Sequence, residues 1–444
     1  DTPAGHRHYR DIHLRDSTGK ALLDVLRREA YRRGVLIKNG VFVTELLVQD
    51  GRASGAIGFL IKTGEIMAFT AGAIVIATGG AGYLYARTSN PPQVTGDGIW
   101  LAYEAGAELM DMEMVQFYPV NYVYPKALEG KNVGSYAQAR LYNAKGERFM
   151  KNYDPEHMEN TTRDKLAQAI YMEIRKGNGT ENGGVYIDRT GLGEEYYAQF
   201  PVEVQTCLEG GLDIRTQRGE VAPAAHYLMG GIRIDENCET SVSHLFAAGE
   251  VAAGVHGANR LANNSLSDTL VLGRTAGVAA GRSCRSRTSE ISRADITKRL
   301  QVVRKRLEAL LVLHGKRAPV EVKNALRQKM WEDVGVIRSR TSLEKAVQYF
   351  EQEKQEFFSS IKITSHSLKA NFEIAEALEA LYMLEVAQLI ARAALYREES
   401  RGAHYREDYP QQDDNNWLKN VVIRKNGEGI EISAVSPATD QWES

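Results

Sequence analysis

Two stretches of this chain put small and polar residues where a strand should end. "IVIATGGAG" (74–82) is an apolar run that closes on Gly79, Gly80 and Gly82. "LFAAGE" (245–250) closes on Gly249 and Glu250 and continues as "VAAGVHGANRLANNSL" to residue 266. Glycine carries no Cβ, so a ligand can come close to the backbone there. Glu250 can accept hydrogen bonds from ribose or ribityl hydroxyls. In open α/β sheets such sites lie at the carboxyl ends of strands, and dinucleotides bind at them. Each stretch alone also reads as a tight turn, but with "TGDG" (95–98) between them the three point to a dinucleotide. Arg260, a single guanidinium among small residues, adds a second chemistry, because its planar fork binds a carboxylate through two parallel hydrogen bonds. No G-x-G-x-x-G opens a helix in this sequence, so a pyrophosphate lacks its usual helix N-terminus here.

The elements that must position these residues follow from pattern. Residues 18–34 hold Ala21, Leu22, Val25, Leu26 and Tyr31 near helical spacing, with Gly34 as a stop. Short β-branched runs broken by "DGR" and "KTGE" predict a β-meander, and its last run, 74–82, reads as a parallel strand buried on both faces. A helix is expected from Thr162 to Gly177. From about 291 the texture turns helical, with Ile296, Leu300, Val303, Leu307 and Leu310 on one stripe, and the last forty residues return to loop and alternating strand.

Composition limits the function classes. The chain has 444 residues, 43% hydrophobic and 25% charged, enough for two or three domains. With 55 basic against 57 acidic residues, bulk attraction to nucleic acid or anionic lipid is not expected. Cys207, Cys238 and Cys284 form no C-x-x-C, which argues against a metal or cluster held by this chain and for inert core cysteines in a reducing compartment. No apolar run is long enough to span a membrane, and no signal peptide is read at "DTPAGHRHYR".

"IVIATGGAGYLY", "TGDGIWLAYEAGAELMDMEMVQF", "RDKLAQAI", "HYLMGGIRIDENCETSVSHLFAAGEVAAGVHGANRLANNSL" and "ESRGAHYREDYPQQDDNNW" occur in this order along almost the whole chain. The chain thereby resembles the flavoprotein subunits of succinate dehydrogenase and fumarate reductase, with L-aspartate oxidase as a further relative. The resemblance implies FAD as cofactor and places the start of this sequence roughly 120 residues into the family pattern. The first βαβ unit and its phosphate-binding glycines would precede that point, so the chain is read as a fragment or separately encoded piece. The implied architecture is α/β: a Rossmann-like FAD-binding domain, incomplete at its N-terminus, with an inserted α+β capping domain and a C-terminal helical domain. Its expected bounds are 1–104 and 226–290 for the FAD-binding parts and 105–225 for the cap. The helical domain spans 291–400 and a tail segment 401–444.

By the same resemblance, Arg163 matches the arginine that passes a proton to the substrate carbon opposite flavin N5, either as a donor or as a purely electrostatic group. His226 and Arg260 match the pair that grips a substrate carboxylate. Ala77, Thr78, Gly79, Gly80, Asp97, Tyr227, Gly249, Glu250, Asn264, Ser265 and Leu266 fall at FAD positions, and Asn263 at the substrate pocket. His256 reads equally as a flavin neighbour or a structural residue. Arg401 and His404 are expected to hold the C-terminal segment onto the flavin or partner side rather than to do chemistry.

One segment departs from the family. Dicarboxylate enzymes carry "HPTG" after "QF" and then "TEGCRGEGG". Here Tyr118 stands in the His place, Val120 in the Thr place and Asn132 near the Glu place. An unpaired buried carboxylate is expensive, so the expected substrate has one carboxylate and a less polar far end, lined by Tyr118, Tyr122 and Tyr124. The expected reaction moves hydride between FAD and the carbon–carbon bond of a carboxylic acid, with electrons exchanged through an iron–sulfur partner subunit. That partner could connect the chain to a membrane anchor, on the cytoplasmic face. L-aspartate oxidase-like chemistry, or an inactive scaffold that binds only the partner, are the alternatives.

Overall fold

The computed structural model describes residues 14, 17–134, 136, 138–286, 291–427 and 429–437. Helix α1 (Thr18–Arg32) ends where Gly34 turns left-handed at φ 73°, its N–H bonded to the Tyr31 carbonyl. The predicted apolar stripe of α1 is not buried: Val25, Leu26 and Tyr31 are exposed, because no other described element packs over it. Strands β1 (Val41–Gln49), β2 (Arg52–Leu60) and β3 (Glu65–Thr70) form the expected antiparallel meander, in that order. β4 (Ile74–Ile76) follows, and α2 (Asp97–Glu104) starts after the left-handed Gly96.

Two short strands and a sheet come next. β5 (Leu109–Met110) leads to β6 (Val115–Tyr124), β7 (Arg140–Tyr142), α3 (Arg163–Glu173), β8 (Val185–Asp188), α4 (Glu194–Ala198), α5 (Pro201–Glu209), β9 (Gly219–Leu228) and β10 (Gly231–Ile232). α3 ends in a wider turn that Gly177 closes with φ 77°, as its sequence requires. The four strands pair antiparallel in the order β6-β9-β8-β7 around a core that includes Tyr118, Val120, Leu141, Leu166, Ile170 and Val221.

β11 (Leu245–Ala247) then pairs in parallel with β4, Leu245 opposite Ile74 and Ala247 opposite Ile76. The parallel pairing is as predicted, but Val75 is 40% exposed, so β4 is not covered on both faces by the described residues. α6 (Asn264–Ser283) buries Asp268, Ala276 and Ala280. Helices α7 (Arg293–Leu310), α8 (Pro319–Asp333), α9 (Arg340–Ser360) and α10 (Phe372–Tyr396) follow. On α7 the predicted stripe is buried at Val303, Leu307 and Leu310, and the helix is capped by the Ser292 hydroxyl, which accepts from the Asp295 N–H at 3.0 Å. α10 is apolar nearly all round and is buried accordingly. α11 (Asp414–Trp417) precedes the hairpin β12 (Asn420–Asn426) and β13 (Gly429–Val435), and β12 pairs with β5 in a sheet ordered β10-β5-β12-β13. Among the described residues no helix is long and apolar enough to cross a membrane.

Candidate functional site

Because β4 and β11 run parallel, "ATGG" and "AAGE" leave the sheet at the same end, and the Ala248 N–H bonds the Ile76 carbonyl at 3.0 Å. Gly79 is left-handed, with φ 76° and open space where a Cβ would stand, so a side chain is excluded by conformation. At Gly80 the reason differs: a Cβ would lie 2.3 Å from Glu250 Oε1. Glycine there lets the Glu250 carboxylate lie across the strand end, where Oε1 accepts the Leu228 N–H at 3.0 Å. Burial pushes the Glu250 carboxyl up to about 7, against the pull of that N–H and of Arg260. Asp97, in the first turn of α2, accepts from Thr95 Oγ1 at 2.7 Å and is pushed up to about 6 by burial.

Asn263, left-handed at φ 66°, is the N-cap of α6, and Asn264, Ser265 and Leu266 form its first turn. Ala77, Thr78, Asn263 and Leu266 are exposed, and Gly249 is buried. One turn further, Asp268 Oδ1 is buried with no hydrogen-bond partner, as is His256 Nε2, which lies 3.5 Å from Asp268 Oδ2. Open strand ends beside orphaned buried polar atoms fit a large polar cofactor such as FAD.

A second group of residues gathers around Tyr118. Its ring lies 4.9 Å from the Arg163 guanidinium and 5.1 Å from the His226 ring. Arg163 is the first residue of α3, with Asp164 beside it, as its sequence predicts. Arg260, 4% exposed, stacks 4.6 Å over Tyr227 and donates from Nη2 to Gln116 Oε1 at 2.9 Å. Arg260 Nε and Arg163 Nε and Nη1 are buried without partners. Burial, and then the neighbouring Arg163, push the Arg260 guanidinium down to about 10. Burial pushes His226 down to about 3, helped by Arg260 and Arg163, so its ring is neutral at ordinary pH. Ser89 Oγ stands 2.9 Å from His226 Nδ1 and 3.4 Å from the Ala225 carbonyl, to which it can also donate. Two guanidiniums with idle N–H groups and a neutral imidazole thus share one region, a set suited to an organic carboxylate.

Among the described residues, Val120, Asn132, Val133 and Tyr136 at the other end of this region are uncharged, and the nearby Glu203 carboxylate is paired with Arg189. The Tyr118 hydroxyl donates to the Val133 carbonyl at 2.8 Å, so only its ring faces Arg163 and His226. Tyr136 meets that ring edge-on at 5.8 Å. Val120 is wholly buried, and Asn132 offers Nδ2 3.5 Å from His226 Nδ1 while its Oδ1 accepts from Asn121 at 3.0 Å. Tyr122 and Tyr124 do not join it. Between Tyr118 and Asn121 the register to β9 slips, an extra residue that turns the following side chains over. Tyr122 therefore points to Cys207 Sγ at 3.3 Å and to Arg189, and Tyr124 is 47% exposed. Tyr136, Ser89, Gln116 and Asn259 complete the surroundings and are not singled out by sequence; each acts through a fold contact that no local spacing encodes. Arg401 pairs with Glu399 and Asp414, and His404 lies buried 2.8 Å from Arg338, so both tie the C-terminal segment to the rest of the chain. Cys207 and Cys238 are buried, whereas Cys284 is exposed and is no core residue, since it lies in the last turn after α6.

Parallel strand ends with a cationic cluster nearby define the class as an α/β cofactor-binding protein with an anion site. The family described as "FAD binding domain" matches residues 3–266, and "Fumarate reductase flavoprotein C-term" matches residues 323–441. The chain is 41% identical over 425 residues to a subunit of the CoM/CoB fumarate reductase of Methanothermobacter marburgensis, covering 95% of this chain and 76% of that protein. It is 34% identical over 430 residues to the fumarate reductase flavoprotein subunit of Escherichia coli, covering 89% of this chain and 70% of that one. A solved structure of a variant E. coli quinol fumarate reductase aligns with a TM-score of 0.91 at 32% identity, over 98% of this chain and 78% of its own. The chain belongs to the fumarate reductase/succinate dehydrogenase flavoprotein family, FAD-dependent oxidoreductases acting on CH–CH bonds.

Proposed function

We propose that this chain binds a carboxylic acid between Arg260, Arg163 and His226 and exchanges hydride between FAD and the acid's carbon–carbon bond. The observation that carries this reading is that two guanidiniums, each with buried unpartnered N–H groups, act electrostatically on a neutral imidazole. FAD, when bound, donates or accepts the hydride, and the residues at the two strand ends and the first turn of α6 would hold it. Arg260 and the His226 ring N–H hold the carboxylate and stabilise the negative charge that builds on it as hydride reaches the neighbouring bond. Arg163 lies at the N-terminus of α3, where the helix dipole disfavours positive charge, and gives its proton to the second carbon. Residues 105–225 serve as the cap that brings Tyr118 and Arg163 over the substrate. Electrons enter or leave through an iron–sulfur partner chain, which would keep the complex on the cytoplasmic face of a membrane.

The neutral far end supports an enoate with one carboxylate. With the Tyr118 hydroxyl engaged and Val120 apolar, a second carboxylate would meet the Asn132 amide, and neither Val120, Val133 nor Tyr136 supplies a cation. The test is reoxidation of the photoreduced, FAD-loaded chain in stopped flow. Crotonate is expected to reoxidise the flavin at least about tenfold faster than fumarate, a difference of ~1.4 kcal/mol. Faster reaction with fumarate overturns the far-end reading. Reduction of the oxidised flavin by L-aspartate, with neither enoate reacting, overturns the carbon–carbon assignment.

A further inference from the structure

Gln116 is 1% exposed and its amide is fully engaged at both ends. Oε1 accepts from Arg260 Nη2 at 2.9 Å, and Nε2 donates to the Arg260 carbonyl at 2.8 Å and to Asn259 Oδ1 at 2.8 Å. Asn259 passes the contact on, its Nδ2 donating to Asp164 Oδ1 at 2.8 Å, in the turn of α3 that begins with Arg163. The amide cannot flip. Reversed, its NH₂ would face the guanidinium N–H and its oxygen would face two oxygens. Head and backbone of Arg260 are therefore pinned by one neutral group, with Tyr227 under the other face of the guanidinium.

A buried arginine is most often held by a carboxylate, which satisfies its charge as well as its N–H groups. Here an amide supplies the geometry without the charge. We propose that Gln116 is a positioning residue that holds Arg260 by a neutral contact, leaving its charge for the substrate carboxylate, and that Asn259 and Asp164 carry this lock to Arg163. The proposal rests on the reading of Arg260 and Arg163 as a carboxylate clamp. Gln116→Glu keeps the shape but supplies an internal counter-ion and sets its oxygens against the Arg260 carbonyl and Asn259 Oδ1. Gln116→Met keeps the bulk and loses only the hydrogen bonds.

The experiment measures the dissociation constants of acetate and malonate, which have no CH–CH bond to react. It uses the FAD-loaded chain, with calorimetry and flavin difference spectra as readouts. At pH 8 Gln116→Glu is expected to weaken both acids about 100-fold and Gln116→Met about tenfold, as loss of a charge-bearing contact and of neutral hydrogen bonds respectively require. As the pH is lowered to 5 the Gln116→Glu deficit should shrink, because a protonated carboxyl again accepts from Arg260 and donates to an oxygen. The other ionisable groups facing Arg260 (Arg163, Tyr118, His226, Tyr227 and Glu250) are common to all three proteins, so the difference between variants isolates position 116. Wild-type affinity in Gln116→Glu, or equal losses in both variants that follow a lowered melting temperature, would show a packing role only and overturn the proposal. If the unsubstituted chain binds neither acid, the clamp itself is wrong, whatever position 116 does.

Discussion

At the scale of single residues, the site works through what each polar atom has left to offer. His226 is the sharpest case. With its folded value near 3 the ring stays neutral through the physiological range, so in the proposed complex it would meet a carboxylate as an N–H donor and not as a cation. The expected outcome is a flat ring signal for His226 between pH 5 and 8 in NMR of histidine-labelled protein. His226→Leu should weaken carboxylate binding about tenfold or more, since a hydrogen bond to a charged group contributes ~1.5–3 kcal/mol. A ring that titrates near 6.5 would make it a cationic partner instead. The depressed value also has a cost to folding: the unfolded ring takes up a proton below about 6.5 and the folded one does not, so this group erodes stability as the pH falls from 6.5 toward 3. Arg260 stands out in the sequence as a lone guanidinium among small residues just past a strand end, and the structure buries it with its Nε unpartnered. The engaged hydroxyl of Tyr118 and the locked amide of Gln116 are not legible there, because their partners, Val133 and Arg260, are set by tertiary approach.

At the scale of elements, the meander, the parallel pair and the helix that starts at Arg163 were readable from runs, turns and caps. The slip in β6 between Tyr118 and Asn121 was not: Pro119 lies within it, but a proline alone does not tell a bulge from an edge, and the slip is what separates Tyr118 from Tyr122. The anchoring of the C-terminal hairpin was also hidden. Arg397, just past α10 and 1% exposed, donates to Glu113 at 2.7 Å, Glu399 at 2.9 Å, and the Trp417 and Lys419 carbonyls at 3.1 and 2.8 Å. It ties β12 to the segment beside β5 through buried charges. Arg397→Met leaves Glu113 without its cation, while Glu399 keeps only the cation of Arg401, and should destabilise by about 3–5 kcal/mol in denaturant unfolding. Hydrogen exchange in 420–435 is expected to speed up first. The sign of the pH dependence follows from Glu113, which burial pushes up to about 7 even with Arg397 opposing it. Its stability contribution is intact below 4.5 and declines as the pH rises through 7, and removing the arginine raises the carboxyl further. The loss in Arg397→Met should therefore be larger at pH 8 than at pH 5. An equal loss at both would mean that packing, not charge, ties the hairpin down.

At the scale of the whole molecule, the cationic cluster lies between two hydrophobic cores. Arg163 and Tyr118 belong to the antiparallel sheet and its helix, while Arg260 and its loop follow the parallel pair. The sequence order of motifs placed both halves, but not the fact that they face each other with like charge. The buried Arg260 and the half-buried Arg163, which repel one another and keep N–H groups unpartnered, cost the fold free energy that a bound carboxylate would return. Binding to the folded state alone stabilises by about 2.7 kcal/mol at 100 times the dissociation constant. Malonate should therefore raise the melting temperature of the FAD-loaded chain. Arg260→Met removes one buried charge and its repulsion with Arg163, at the loss of the Gln116 contact and the stacking on Tyr227. Without ligand the variant should melt no lower than the unsubstituted chain, and malonate should no longer shift it. Such an exchange of stability for function is what a clamp kept charged for its ligand implies. A variant that melts well below the parent yet keeps its malonate shift would place Arg260 among the structural arginines, beside Arg397 and Arg338, and move the carboxylate elsewhere.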